Sequence, residues 1–166
     1  MVPAIATVER TFSHGTAMTQ ESTPSTVAEA LPVDPATHPV LFFDGVCGLC
    51  DATVNWLLRR DTAGILRFAP LQGETAARVL PPADAQDLRS VVLVDEQGVH
   101  RRSRAAIRTL RHLGGRYRFY ARLLWIIPAP LRELVYKLVS KTRYRIFGKK
   151  DLCRLPKPGE SERFLP

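Results

Sequence analysis

The sequence predicts an α/β fold with elements in the order βαβαββα and a basic helical extension beyond them. Three observations carry that expectation. Val40-Leu41-Phe42-Phe43 is a continuous apolar run, as in a strand buried on both faces. After the turn Asp44-Gly45-Val46, apolar Val54, Leu57 and Leu58 recur four, seven and eight residues beyond Cys50, which is helical spacing. Further on, Ser90-Val91-Val92-Leu93-Val94 and the turn Asp95-Glu96-Gln97-Gly98 read as one arm and the bend of a hairpin.

The first helix is expected to run to about Arg60, with Asp61-Thr62-Ala63-Gly64 ending it at a glycine. Ile65 to Ala69 then forms a second strand, stopped by Pro70, and a helix between two strands suits a parallel crossover. Glu74 to Leu80 is a short helix closed by Pro81-Pro82. Val99–Arg102 returns as the second arm of the hairpin. Ser103 is expected to cap a helix through His112, with Ala106, Ile107 and Leu110 on its apolar face and Gly114-Gly115 ending it. This is the element order of the thioredoxin fold. Residues 116–147 add one or two helices broken at Pro128-Ala129-Pro130, and they read as an extension of the same domain, which spans 39–166.

The most informative local feature is Cys47-Gly48-Leu49-Cys50 at the strand-to-helix junction. A sulfur at a helix N-terminus faces unpaired backbone N–H groups and the positive end of the helix dipole, which favour thiolate over thiol. The spacing lets the two sulfurs close a disulfide across one helical turn, the chemistry of dithiol–disulfide exchange. Cys47 is expected to be the nucleophile and the better exposed of the pair, with Cys50 resolving the mixed disulfide. Gly45, Val46, Gly48 and Leu49 line the site.

The wider string Phe42-Phe43-Asp44-Gly45-Val46-Cys47-Gly48-Leu49-Cys50 resembles the bacterial DCC family, named for its Asp and two Cys. Arg67-Phe68-Ala69-Pro70-Leu71-Gln72-Gly73 is similar to the family's second block, and Arg143-Tyr144-Arg145-Ile146-Phe147-Gly148-Lys149 through Cys153 to its C-terminal block. The match covers about residues 38 to 165. The resemblance implies a thioredoxin-like fold and thiol–disulfide oxidoreductase activity of the protein-disulfide reductase kind. It implies no metal and no organic cofactor, only the redox-active pair. Ordinary thioredoxins hold substrate with a cis-proline before the third strand; the corresponding position here is Ser90, so a trans peptide is expected, with Arg89 and Ser90 lining the site.

Several residues admit two readings. Asp44 either takes the proton from Cys50 as a general base, or bonds backbone N–H groups and fixes the turn. Cys153 is either a third redox thiol or a structural residue. A zinc site from Cys47, Cys50, Cys153 and His100 or His112 would lack a second close-spaced ligand pair. A haloacid-type phosphatase is excluded at Phe42-Phe43-Asp44, because Val46 stands where the second acid is needed. Cys47 and Cys50 are also compatible with a redox-sensing module that exchanges once and does not turn over.

Residues 1–38 are rich in Thr, Ser, Ala and Pro without lasting periodicity, and are expected to form a disordered tail, with Met18 an alternative start to Met1. No secretory signal pattern is present, and three cysteines are too few for a disulfide scaffold, so a cytoplasmic location is expected. Charge is unevenly placed. Residues 101–150 hold 15 Lys and Arg against the single acid Glu133, a balance of 15 − 1 = +14, while the rest of the chain sums to −6. That asymmetry suits an acidic partner or an anionic membrane surface; Arg116, Arg118 and Arg122 beside Phe119, Tyr120, Leu124 and Trp125 resemble an interfacial helix. No specific nucleic acid is expected. The substrate side of the reaction is a disulfide-containing protein or small thiol, and electrons come from a reductase or a thiol.

Overall fold

The structure, a computed structural model, describes Val27 and residues 29–150 and 156–166. Four strands form one sheet: β1 (Val40–Phe43), β2 (Arg67–Pro70), β3 (Val92–Asp95) and β4 (Gly98–Arg101). The helices are α1 (Gly48–Arg60), α2 (Glu74–Val79), α3 (Pro82–Gln86), α4 (Arg102–His112), α5 (Gly115–Ile126) and α6 (Ala129–Phe147). The strand order is β2-β1-β3-β4. β1 runs parallel to β2 and antiparallel to β3, and β3 runs antiparallel to β4. This is the thioredoxin-like arrangement that the sequence predicts.

The fully apolar run of β1 is explained by two separate cores. Val40 and Phe42 face one side, packed with Ala69, Leu71, Val92 and α2 residues. Leu41 and Phe43 face the other, against Val54 and Leu57 of α1 and Ala105 of α4. Alternate side chains of a strand point to opposite faces, so only a strand covered on both sides can be apolar throughout. The central position of β1 delivers its C-terminal end, and Asp44 behind it, to the N-terminus of α1.

Four local expectations are corrected. Val27 and Leu31 are buried in the first core, so the stretch read as a tail contributes packing residues ahead of position 39. Pro82 does not merely end α2; it begins α3, where its fixed φ and missing N–H suit a first helical turn. Arg101, and not Ser103, precedes α4, with no side-chain cap; Ser103 instead donates to Glu133. The apolar face of α4 is made by Ala105 and Ile107, whereas Ala106 is exposed. The extension divides at Ile127–Pro128 as expected, and α6 packs back across α1 and α4.

Candidate active site

The site grows from the end of β1. Asp44 is buried, and its Oδ1 accepts the Val46 N–H at 3.2 Å, the two-residue reach of a turn-forming aspartate. The same oxygen accepts Gln72 Nε2 at 2.8 Å, and Gln72 Oε1 accepts the Gly45 N–H at 3.1 Å. The turn is therefore pinned to Gln72, two residues beyond β2. Cys47 comes next as the N-cap of α1, its sulfur accepting the Cys50 N–H at 3.4 Å. A cysteine in the place of the usual Ser or Asp cap puts its sulfur among the helix's free N–H groups.

Sequence reasoning missed Arg143. Its guanidinium, on α6, reaches Asp44 Oδ2 at 2.8 Å and lies 4.0 Å from Cys50 Sγ. Tyr144 also donates to Asp44 Oδ2, and Arg143 donates to the Leu88 carbonyl. Asp44 is thus engaged by the Val46 N–H and by the side chains of Gln72, Arg143 and Tyr144. The signal for Arg143 was in the C-terminal block Arg143–Lys149, whose resemblance was visible although no role could be read from it.

The two sulfurs sit in opposite settings from those expected. Cys47 is 0% exposed, and Cys50 is the partly exposed one. The cause is the chain after α6. Lys150 N–H donates to the Val46 carbonyl at 2.7 Å, Gly48 N–H donates to the Gly148 carbonyl at 3.3 Å, and Cys47 pairs with Lys149 in a single antiparallel bridge. Gly48 is required at this crossing, since a Cβ there would lie 2.2 Å from the Phe147 carbonyl oxygen. Burial pushes the Cys50 thiol up to about 12, helped by its hydrogen bond to Cys47 and that sulfur's charge, while the Arg143 charge pulls it down. At neutral pH Cys50 therefore keeps its proton and serves as donor to Cys47.

Cys50 and Arg143 share a cavity of about 290 Å³ whose other walls include Leu49, Trp56, Val91, Tyr136 and Val139. Arg143 Nε is buried without a hydrogen-bond partner among the described residues. Of the residues expected to line the site, Gly45, Val46, Gly48 and Leu49 surround the cysteines. Arg89 and Ser90 stand one step back. The Arg89 carbonyl accepts Ser140 Oγ at 2.6 Å, Ser90 is buried, and Val91 takes the place on the cavity wall. No cis peptide occurs among the described residues, consistent with a trans bond at Ser90.

Cys153 lies outside the described residues. His100 and His112 are not beside the cysteines' helix end; their Nε2 atoms bond the two oxygens of buried Asp95 at 2.9 and 3.1 Å. Asp95, Glu96 and His112 are close enough together to hold a cation, but the Arg108 guanidinium already bonds Asp95 at 2.6 Å and Glu96 at 3.2 Å. A fixed positive charge in that position disfavours a metal there.

Comparison with known proteins identifies the family. Residues 41–149 match the family model described as DCC1-like thiol-disulfide oxidoreductase. The chain is 42% identical over 131 residues to the protein YuxK of Bacillus subtilis (strain 168), covering 76% of this chain and 93% of that one. It is 31% identical over 120 residues to the DCC family protein At1g52590, chloroplastic, of Arabidopsis thaliana, covering 71% of this chain and 70% of the relative. No solved structure gives a significant match. Four-stranded sheet, cysteine pair and matched span together lead to one assignment: the chain belongs to the DCC1-like thiol-disulfide oxidoreductase family.

Proposed function

We propose that the protein is a cytoplasmic thiol–disulfide oxidoreductase of the protein-disulfide reductase type, working through Cys47 and Cys50 without metal or organic cofactor. The observation that carries this reading is the placement of Cys47 as the cap of α1, receiving the Cys50 N–H while Cys50 holds a proton. Cys47 stands at the helix N-terminus, the position that favours an attacking sulfur.

Cys47 thiolate attacks one sulfur of a substrate disulfide, forming a Cys47–substrate mixed disulfide and releasing the other substrate sulfur as thiolate. Cys50 passes its proton to the substrate thiolate released in the first step and attacks the Cys47 sulfur of that mixed disulfide. This expels the second substrate thiolate and leaves the Cys47–Cys50 disulfide; two electrons have passed to the substrate. An external thiol or a reductase reverses the change in the enzyme. Asp44 contributes by holding the turn and Arg143 in place. Arg143, next to Cys50, lowers the cost of deprotonating it. The cavity beside Cys50 accommodates an apolar group of the substrate. Access to Cys47 requires the 147–150 segment to shift from its hydrogen bonds with Val46 and Gly48.

Steady-state reduction of a disulfide-bonded protein substrate by a small thiol tests the reading. Turnover that is sustained, and lost in Cys47→Ser, is expected. One stoichiometric exchange that then stops would replace the enzyme with a redox switch.

A further inference from the structure

The extension carries a surface that the redox chemistry does not use. Among the described residues, every large exposed apolar side chain lies between Phe119 and Phe147. All ten residues from Arg122 to Leu131 are exposed, so the elbow joining α5 and α6 stands clear of the body. On α5, Phe119, Leu123 and Ile126 recur at helical spacing and are 65%, 53% and 76% exposed. On α6, Leu131, Leu134, Val135 and Leu138 do the same. A monomer in water does not ordinarily leave so continuous an apolar face uncovered.

Charge identifies the occupant. Residues 101–150 carry 15 − 1 = +14, and exposed Arg116, Arg118, Arg122, Lys137, Lys141 and Arg145 flank the apolar positions. A second copy would bring +14 against +14, so self-association over this face is opposed. Trp125 lies between two guanidinium groups, Arg104 at 5.8 Å and Arg132 at 5.0 Å from its ring centre. An indole with two guanidinium groups beside it suits the boundary where lipid phosphates meet acyl chains. No helix among the described residues is long and apolar enough to cross a membrane, so the segment would lie on one.

We propose that the α5–α6 elbow docks the protein on an anionic membrane surface. Ile126, Leu131 and Leu134 enter the outer acyl region, and Arg104, Arg132 and the flanking cations meet lipid phosphates. α6 also supplies Val139 and Arg143 to the cavity beside Cys50, so the docked face and the redox site share one helix.

The test uses the full chain with Trp56→Phe, leaving Trp125 as the reporter. It is mixed with vesicles of phosphatidylcholine alone, or containing about 30% phosphatidylglycerol, at physiological ionic strength. Partition onto the anionic vesicles at least about tenfold above the neutral ones is expected, with a blue shift of Trp125 emission. Ile126→Asp with Leu134→Asp should abolish both while leaving the circular dichroism and cysteine reactivity unchanged. The proposal is overturned by equal or absent partition onto the two vesicle types, or by a concentration-dependent dimer that shifts Trp125 without lipid. Binding to soluble polyglutamate as tight as to vesicles, and insensitive to the two substitutions, would overturn it in favour of an acidic protein partner.

Discussion

Cys47 and Cys50 lie one helical turn apart, yet their surroundings divide the work between them. Cys47 sits at the helix cap and Cys50 holds its proton, partly because Cys47 is its hydrogen-bond partner and a nearby charge. Replacing Cys47 by Ser removes the charge of that sulfur, while burial and a hydroxyl hydrogen-bond partner remain. Alkylation of Cys50, followed by peptide mass mapping, should therefore be faster near neutral pH in Cys47→Ser than in the wild type, where the rate keeps climbing above pH 9.0, the ordinary thiol value. An unchanged pH profile would contradict the coupling. Arg143 and Asp44 are a buried ion pair, and Arg143→Gln leaves the Asp44 charge alone; the expected loss is about 3–5 kcal/mol, read as a lower urea midpoint. The double variant with Asp44→Asn should lose less than the two single losses added together. Asp44, Cys47 and Cys50 were legible because they are neighbours in one short string. Arg143 was not, since its partner is 99 residues away and the basic sequence around it reads as a solvated face.

The elements that pattern reveals are those with one clear period. β1, α1 and the β3–β4 hairpin were legible because burial on two faces, a 3.6-residue stripe and an Asp–Gly turn each leave a local mark. What failed was decided elsewhere: Ser103 faces Glu133 on α6, thirty residues on, and leaves the start of α4 to Arg101. The 147–150 segment over the cysteines likewise leaves no periodic signal. Its contact is testable at Gly48. In an isolated helix Ala is better than Gly by about 1 kcal/mol, but the added Cβ meets the Phe147 carbonyl. Gly48→Ala should therefore lose about 1–3 kcal/mol and raise the alkylation rate of Cys47 several-fold by displacing the segment. A stabilised variant with Cys47 still unreactive would show that the crossing is looser than described.

For the whole molecule, the Asp95 cluster ties the hairpin to α4 and sets the response to acid. Burial holds His100 below its ordinary 6.5, so the unfolded chain binds that proton more readily than the native one. Stability is then lost as pH falls from 6.5, and does not fall on the alkaline side from this group. Asp95 resists protonation despite its burial, because His112, Arg108, the Gln97 N–H and His100 donate to it. Its contribution is present above the ordinary 3.8 and disappears below it. Urea midpoints should therefore decline in two stages, and His100→Gln should flatten the upper one. The order of elements along the chain was readable from sequence, but the burial of Val27 and Leu31 was not, as isolated apolar residues in a Thr- and Pro-rich stretch carry no period. The central claim, that Cys47 and Cys50 form one exchanging pair, is tested most directly by counting thiols by intact mass and peptide mapping across a thiol–disulfide redox series. The pair should lose two thiols together at a single potential, and Cys50→Ser should accumulate a mixed disulfide on Cys47. Thiols that stay reduced throughout, or an adduct trapped on Cys50 in Cys47→Ser alone, would contradict it.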